Sequence, residues 1–161
     1  LRPWELVEAS FTAEIANTNA FISAQEEYSV LKRGIEADLL PAARRYGLGI
    51  LPYYPLANGL LTGKYQRDQM PDGARLTVNP AYGEHAYIND ENWAKVEKLR
   101  AFCDAHGRSL LELAFGWLLA EPLVASVIAG ATKPEQARAN VAAAGWVLTP
   151  EDMTAVAEIV E

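Results

Sequence analysis

The strongest constraint on the fold is an order that occurs three times along the chain: a short apolar run, a turn, then a helix-forming stretch. The runs are "AFISA" (Ala20–Ala24), "LGILPYYP" (Leu48–Pro55) and "LVASVIAG" (Leu123–Gly130). Strand, helix and strand joined by short links is the pattern of a parallel βα architecture, because parallel neighbours need a crossover and a helix supplies it. Three parallel strands do not close a barrel. The sequence therefore predicts an α/β chain that is either a small open sheet or part of something larger. Pro52 cannot donate to a ladder, so regular pairing of the second strand is expected to end near Leu51.

Helical signals fill the intervals. Trp4, Val7, Phe11 and Ile15 recur at helical spacing behind Pro3 and predict an opening amphipathic helix. Ile35, Leu39, Leu40 and Ala43 predict a second, closed by Gly47 as its C-cap. Trp93, Val96, Leu99, Phe102 and Cys103 mark another. In "RSLLELAFGWLLAEP", Ser109 and Glu112 stand at capping-box spacing and apolar residues cover nearly every face, so that helix is expected to be buried. "PEQARANVAAA" follows the third strand, and Thr149 and Pro150 open a last helix with Glu151 and Asp152 in its first turn. Residues 57–88 differ. Glycine, proline and mixed polar residues dominate there without a lasting period, as in a functional loop or a disordered one.

The 161 residues suffice for one domain, here taken as 1–161, and half of them are hydrophobic. A net charge of −7 argues against a general nucleic-acid binder, which needs a cationic face. The single Cys103 excludes an intramolecular disulfide and fits a reducing compartment, and its place on an amphipathic helix reads as packing. No signal peptide is visible. The longest apolar stretch is interrupted by Glu121 and Pro122, too short to span a bilayer. The expectation is a cytoplasmic protein without a membrane role.

Three places could carry chemistry. In "VIAGATKPEQARAN" an apolar run stops at Gly130, Thr132 and Lys133 follow, and Pro134 opens a helix. Free N–H groups and the dipole at a helix start attract anions, and Lys133 adds a full charge. An ordinary strand-to-helix junction has the same glycine and cap, so both readings stand. In "LPYYPLANGLLTGKY" two tyrosines end a strand between Pro52 and Pro55. A ring there could stack on an aromatic ligand or simply fill the core. Gly59, Gly63 and Lys64 could admit an anion. Gln25 ends the first strand, where an amide can pair with a ligand carboxamide. Glu26 and Glu27 are adjacent and point to different sides, poor geometry for a carboxylate dyad. His85 and His106 lack partners at metal-ligand spacing, and no Cys/His cluster occurs.

Taken in order, "FISAQEEYSVL", "YYPLANGLLTGKY" and "VIAGATKPEQARAN" resemble the sixth, seventh and eighth strand regions of the aldo/keto reductases, NADP(H)-dependent (β/α)₈ barrels. The resemblance covers nearly the whole chain. It implies the C-terminal portion of such a barrel, with residues 57–88 as a cofactor and substrate loop. By that resemblance Gln25 holds the nicotinamide carboxamide and Tyr53 stacks on the nicotinamide ring. Pro55, Leu56, Ala57 and Asn58 run beside the pyrophosphate, with Lys64 further along. Gly130, Thr132 and Lys133 surround the adenosine 2′-phosphate, Gln136 and Asn140 lie on the adenine side, and Arg75 is a further phosphate contact. The implied partners are a small carbonyl substrate and the missing N-terminal half of the barrel.

Some positions depart from the family pattern. Tyr54 stands where serine is commoner, Pro52 where a small residue is usual, and Ala139 where an acidic residue often precedes the asparagine. The catalytic Asp, Tyr, Lys and His of the family belong to earlier strands. They have no counterpart here, so no catalytic residue is assigned, and Tyr28, Lys32 and Tyr46 do not fill the gap. Because some relatives of this fold act mainly as partners of membrane channels and share the "LTGKY" run, a cofactor-binding regulatory subunit is the second reading. An unrelated α/β binding module is the third.

Overall fold

A computed structural model of the chain describes residues 2–73, 75–78 and 87–161, Arg75 by its backbone alone. The elements run α1 (Pro3–Ile15), β1 (Ser23–Glu27), α2 (Leu39–Tyr46), β2 (Gly49–Tyr53), α3 (Arg75–Val78), α4 (Asp90–Ala105), α5 (Leu110–Leu119), α6 (Pro134–Ala143) and α7 (Pro150–Val160), with 3₁₀ turns at Gly34–Glu36 and Ala57–Thr62. His85, and with it residues 79–86 of the long connection, lies outside the described residues.

β1 and β2 pair in parallel, with Ala24 opposite Ile50 and Glu27 opposite Tyr53, and α2 is the crossover between them. β1 starts later than the apolar run "AFISA" suggests. Ala24 and Ile50 share a core with Leu39, Leu40 and Ala43 of α2, while Phe21 and Ile22 stay exposed. Burial under the crossover helix sets the register, and the local apolar run does not.

The predicted third strand does not form as one. Residues 123–130 run beside β2 with a single parallel bridge, Val124 to Ile50. The Ile50 N–H donates to the Leu123 carbonyl at 2.6 Å and the Ala125 N–H to the Ile50 carbonyl at 3.0 Å. A regular parallel ladder would next take a donor from residue 52, which is proline, and then one from Val127. The carbonyl of Pro52 instead accepts from the Ile128 N–H at 2.9 Å. The segment has slipped by one residue where the donor is missing.

The same proline leaves the β1 side intact, which corrects the expectation that pairing ends near Leu51. Alternate residues of a parallel strand bond to alternate neighbours. The Gly49 N–H donates to the Ile22 carbonyl at 2.9 Å and the Tyr28 N–H to the Tyr53 carbonyl at 3.4 Å, so odd positions of β2 face β1. Pro52 faces the other flank, and pairing with β1 continues to Tyr53.

Two helices also differ from the sequence pattern. In α1 the buried residues are Leu6 and Ala13, whereas Trp4, Phe11 and Ile15 are exposed. The apolar stripe read from the sequence therefore lies largely outside this core, with Phe11 edge-on to Tyr46 at 5.8 Å. α2 begins at Leu39, and Ile35 belongs to a 3₁₀ turn. The cause is Pro41: a proline lacks the N–H and clashes with the preceding turn, so a helix tolerates it only near its start. The caps agree with the sequence. Gly47 closes α2 at φ 69°, and Ser109 with Glu112 and Thr149 with Asp152 form capping boxes. α5 is buried from Leu113 to Leu118, as its all-round apolar composition requires. Cys103 packs beside it at 1% exposure, and burial pushes its thiol up to about 12.

Candidate functional site

Because β1, β2 and residues 123–130 all run in the same direction, their C-terminal ends lie at one rim. Residues opposite each other in a parallel pair share a face of the sheet. Ala24, Ile50 and Pro52 occupy the face buried under the helices, and Gln25, Glu27, Leu51 and Tyr53 occupy the other. Gln25 is exposed there, in mid-strand rather than at the strand end, and Leu51, Tyr53 and Glu27 are half-buried. The Gln25 amide has no hydrogen-bond partner among the described residues.

Beyond β2 the chain turns sharply. Tyr54 sits at φ 52°, Ala57 at 47° and Asn58 at 56°, followed by Gly59 at 106° and Gly63 at 82°. Left-handed backbone at a bulky residue such as Tyr54 costs roughly 1–3 kcal/mol and persists only where its surroundings enforce it. The tyrosine that replaces the commoner serine is therefore a strained position, set edge-on to Tyr53 with ring centroids 5.2 Å apart. Burial, then the carboxylates of Glu27 and Glu26, raise the pKa of the Tyr53 phenol. Pro55, Ala57 and Asn58 are buried and Leu56 half-buried. Lys64 is exposed, its ammonium 4.9 Å from the centroid of the Tyr65 ring. The Arg75 side chain lies outside the described residues.

The turn after residues 123–130 is self-capped. Lys133 is the N-cap of α6, extended at φ −139°, with no side-chain cap bond, and Pro134 follows at the first helical position. The Gln136 side-chain oxygen accepts from the Thr132 N–H at 2.7 Å and lies 3.1 Å from the Thr132 hydroxyl. Gly130, Thr132, Lys133 and Gln136 are exposed and Asn140 is half-buried. The Lys133 ammonium has no partner among the described residues. Topology thus puts Tyr53 and the 130–136 turn at one rim, with Gln25 two residues before the end of β1 on the Tyr53 face. It leaves Lys64 engaged with Tyr65.

One contact at this rim escapes sequence reasoning. The Tyr87 hydroxyl donates to Glu27 Oε1 across 60 positions, and Tyr87 is 2% exposed. Read locally, Glu27 is half of a poor dyad with Glu26. No local signal ties it to a tyrosine at the far end of the long connection. Among the described residues no group of His, Cys, Asp or Glu could hold a metal ion, and no helix is long and apolar enough to cross a membrane.

These features define an α/β chain with a parallel sheet that carries an exposed amide in mid-strand, an aromatic ring at a strand end and a turn with an exposed lysine. The profile of the Aldo/keto reductase family matches residues 4–161, and the chain belongs to that family. It is 35% identical over 159 residues to the NADH-specific methylglyoxal reductase of Escherichia coli (strain K12), covering 96% of this chain and 47% of that protein. It is 34% identical over 161 residues to a probable voltage-gated potassium channel subunit beta of Oryza sativa subsp. japonica, covering 98% and 49%. A third relative, the L-glyceraldehyde 3-phosphate reductase of Escherichia coli O157:H7, is 32% identical over 123 residues, 74% of this chain and 35% of that one. The chain spans about half the length of the first two relatives.

Proposed function

We propose that this chain is the cofactor-binding C-terminal part of a (β/α)₈ aldo/keto reductase barrel, a cytoplasmic oxidoreductase that reduces aldehyde or ketone carbonyls by hydride transfer from NADPH. The observation that supports the reading is that Gln25 and Tyr53 share one face of the parallel sheet, toward the end where the Gly130–Gln136 turn also lies. The residues present suit a dinucleotide. Gln25 offers a free amide to a carboxamide, the half-buried Tyr53 ring offers a stacking surface, and Lys133 offers an uncommitted charge to a phosphate. The nicotinamide supplies the hydride, and this chain's residues bind and orient it. Pro55, Leu56, Ala57 and Asn58, whose side chains are mostly covered, would present backbone to the pyrophosphate, with Lys64 and Arg75 beyond them and Asn140 toward the adenine. The proton donor belongs to the missing half of the barrel. That half would cover the open sheet face at Gln25 and Leu51, and with them the exposed Trp4, Phe11, Ile15, Phe21 and Ile22.

The choice of NADPH over NADH rests on Lys133 and Thr132, and a relative named as NADH-specific makes it worth testing directly. Titration of the complete protein with both cofactors is expected to give tighter binding of NADPH. Lys133→Ala is expected to weaken NADPH about tenfold and leave NADH nearly unchanged, the size of one charge-assisted phosphate contact. Equal loss for both cofactors, or none, would remove Lys133 from the phosphate site. A second reading, a cofactor-binding channel subunit, is favoured by the 34% identity to a protein of that name. Turnover of a carbonyl substrate by the complete protein decides between them.

A further inference from the structure

Glu27 lies opposite Tyr53 in the parallel register, on the same face of the sheet. Its carboxylate accepts the hydroxyl of Tyr87, whose ring is buried. The backbone of Tyr87 is held from the other side. Asn92 Nδ2 donates to the Tyr87 carbonyl at 3.0 Å, and the Asn92 N–H is capped by Asn89 Oδ1 at 2.7 Å. Tyr87 is thereby fixed to the first turn of α4, which is anchored in the core through Trp93 and Val96. A single phenol–carboxylate bond thus fastens the start of α4 to the end of β1, beside the ring proposed to stack on the nicotinamide.

We infer that Glu27 and Tyr87 form a positioning pair for the nicotinamide end of the cofactor site, holding Tyr53 in its stacking position by closing the rim behind it. The inference rests on the cofactor reading above and goes beyond it, because neither residue is proposed to touch the phosphates. The chemistry is consistent with a permanent donor. Burial, then the hydrogen bond to the Glu27 carboxylate, raise the pKa of the Tyr87 phenol, so the phenol keeps its proton and stays the donor. The pair stands beside the Tyr53 ring because Glu27 lies directly opposite that residue in the parallel register. Without the phenol, Glu27 would be an unpaired carboxylate at the stacking surface, free to seek other partners.

The test uses the complete protein and two ligands: NADPH, and adenosine 2′,5′-bisphosphate, which carries the adenine half alone. Tyr87→Phe is expected to raise the Kd of NADPH about tenfold, the scale of one hydrogen bond to a charged group. The Kd of the bisphosphate should stay within about twofold. Glu27→Gln keeps an acceptor for the phenol and is expected to fall between wild type and Tyr87→Phe. Glu27→Leu should match Tyr87→Phe, and the double variant should be no worse than either, since both remove one bond. A clip with a purely structural role would weaken both ligands in parallel, and that result overturns the inference. NADPH affinity unchanged in a folded Tyr87→Phe overturns it as well. If Tyr87→Phe fails to fold, the comparison of Glu27→Gln with wild type decides in the same way. Wild-type protein that binds neither ligand would sink the cofactor reading itself, a separate outcome.

Discussion

Gly116 offers a substitution for which two physical effects predict opposite signs. It lies inside α5, where alanine is favoured over glycine by about 1 kcal/mol of helix propensity. A Cβ at this position would stand 2.5 Å from the Trp146 carbonyl oxygen, 3.5 Å from its carbonyl carbon and 3.7 Å from Leu148 Cγ. Real Cβ contacts stop near 3.0 Å, so the backbone at residue 146 must retreat. It has little room to do so. Trp146 is 8% exposed, its ring stacks on Phe102 at 6.1 Å, and the Arg108 guanidinium lies 5.8 Å from it. Overpacking against fixed backbone costs roughly 1–3 kcal/mol or more. A contact of 2.5 Å with backbone lies at the upper end of that range, roughly 2–3 kcal/mol, so net of propensity Gly116→Ala is expected to be destabilised by about 1–2 kcal/mol, a fall in Tm of roughly 2–8 °C for a chain this size. Urea and thermal denaturation followed by circular dichroism would measure it, with Gly34→Ala as the control. Gly34 has nothing within 4 Å of its ideal Cβ and no positive φ, so alanine there should be neutral or slightly stabilising. A Gly116→Ala protein as stable as wild type would refute the close approach of α5 to the Trp146 backbone.

Two further outcomes are expected. Cys103, buried and with its thiol pushed up to about 12, should resist iodoacetamide at neutral pH and react only on a timescale set by unfolding. Alkylation that is fast without denaturant would contradict its burial. The Asp152 carboxyl is held below its ordinary value of 3.8 chiefly by the Thr149 N–H, with help from the Thr149 hydroxyl and His106. A depressed folded pKa contributes stability that is present above the unfolded value and lost as pH falls through the folded one. Asp152→Asn should therefore lower stability at pH 7 and flatten the loss below about pH 4. An unchanged acid limb in pH-dependent denaturation would exclude this capping carboxylate as a contributor.

What the sequence made legible follows from the range of the interactions. Helix ends were readable because capping is local: Ser109 with Glu112, Thr149 with Asp152, and Gly47 each act within one turn. Tyr53 and Gly130 sit where a strand-like run meets a turn, which is also a local signal, whereas Gln25 proves to lie in mid-strand because β1 starts later than its apolar run. Partnership was not readable. The exposed faces of Trp4, Phe11 and Ile15 obey a helical period, and period alone does not say which body the stripe packs on. The bond from Tyr87 to Glu27 joins distant positions through side chains, and nothing in either neighbourhood announces it.

Pro52 shows how a local rule can be right and its consequence still misplaced. The missing N–H removes one donor, and the parity of a parallel strand decides which neighbour loses it. Here that neighbour is the 123–130 segment. β1 keeps its register through Glu27 and Tyr53. The segment answers by offering Ile128 in place of Val127 to the Pro52 carbonyl, so that the remaining residues to Gly130 are one fewer than a regular ladder would leave. The proline therefore keeps the Gln25–Tyr53 side of the rim regular and confines the irregularity to the segment that leads into the Thr132–Gln136 turn. The flaw in the sheet thus falls on the flank of the proposed phosphate turn and spares that of the proposed stacking ring.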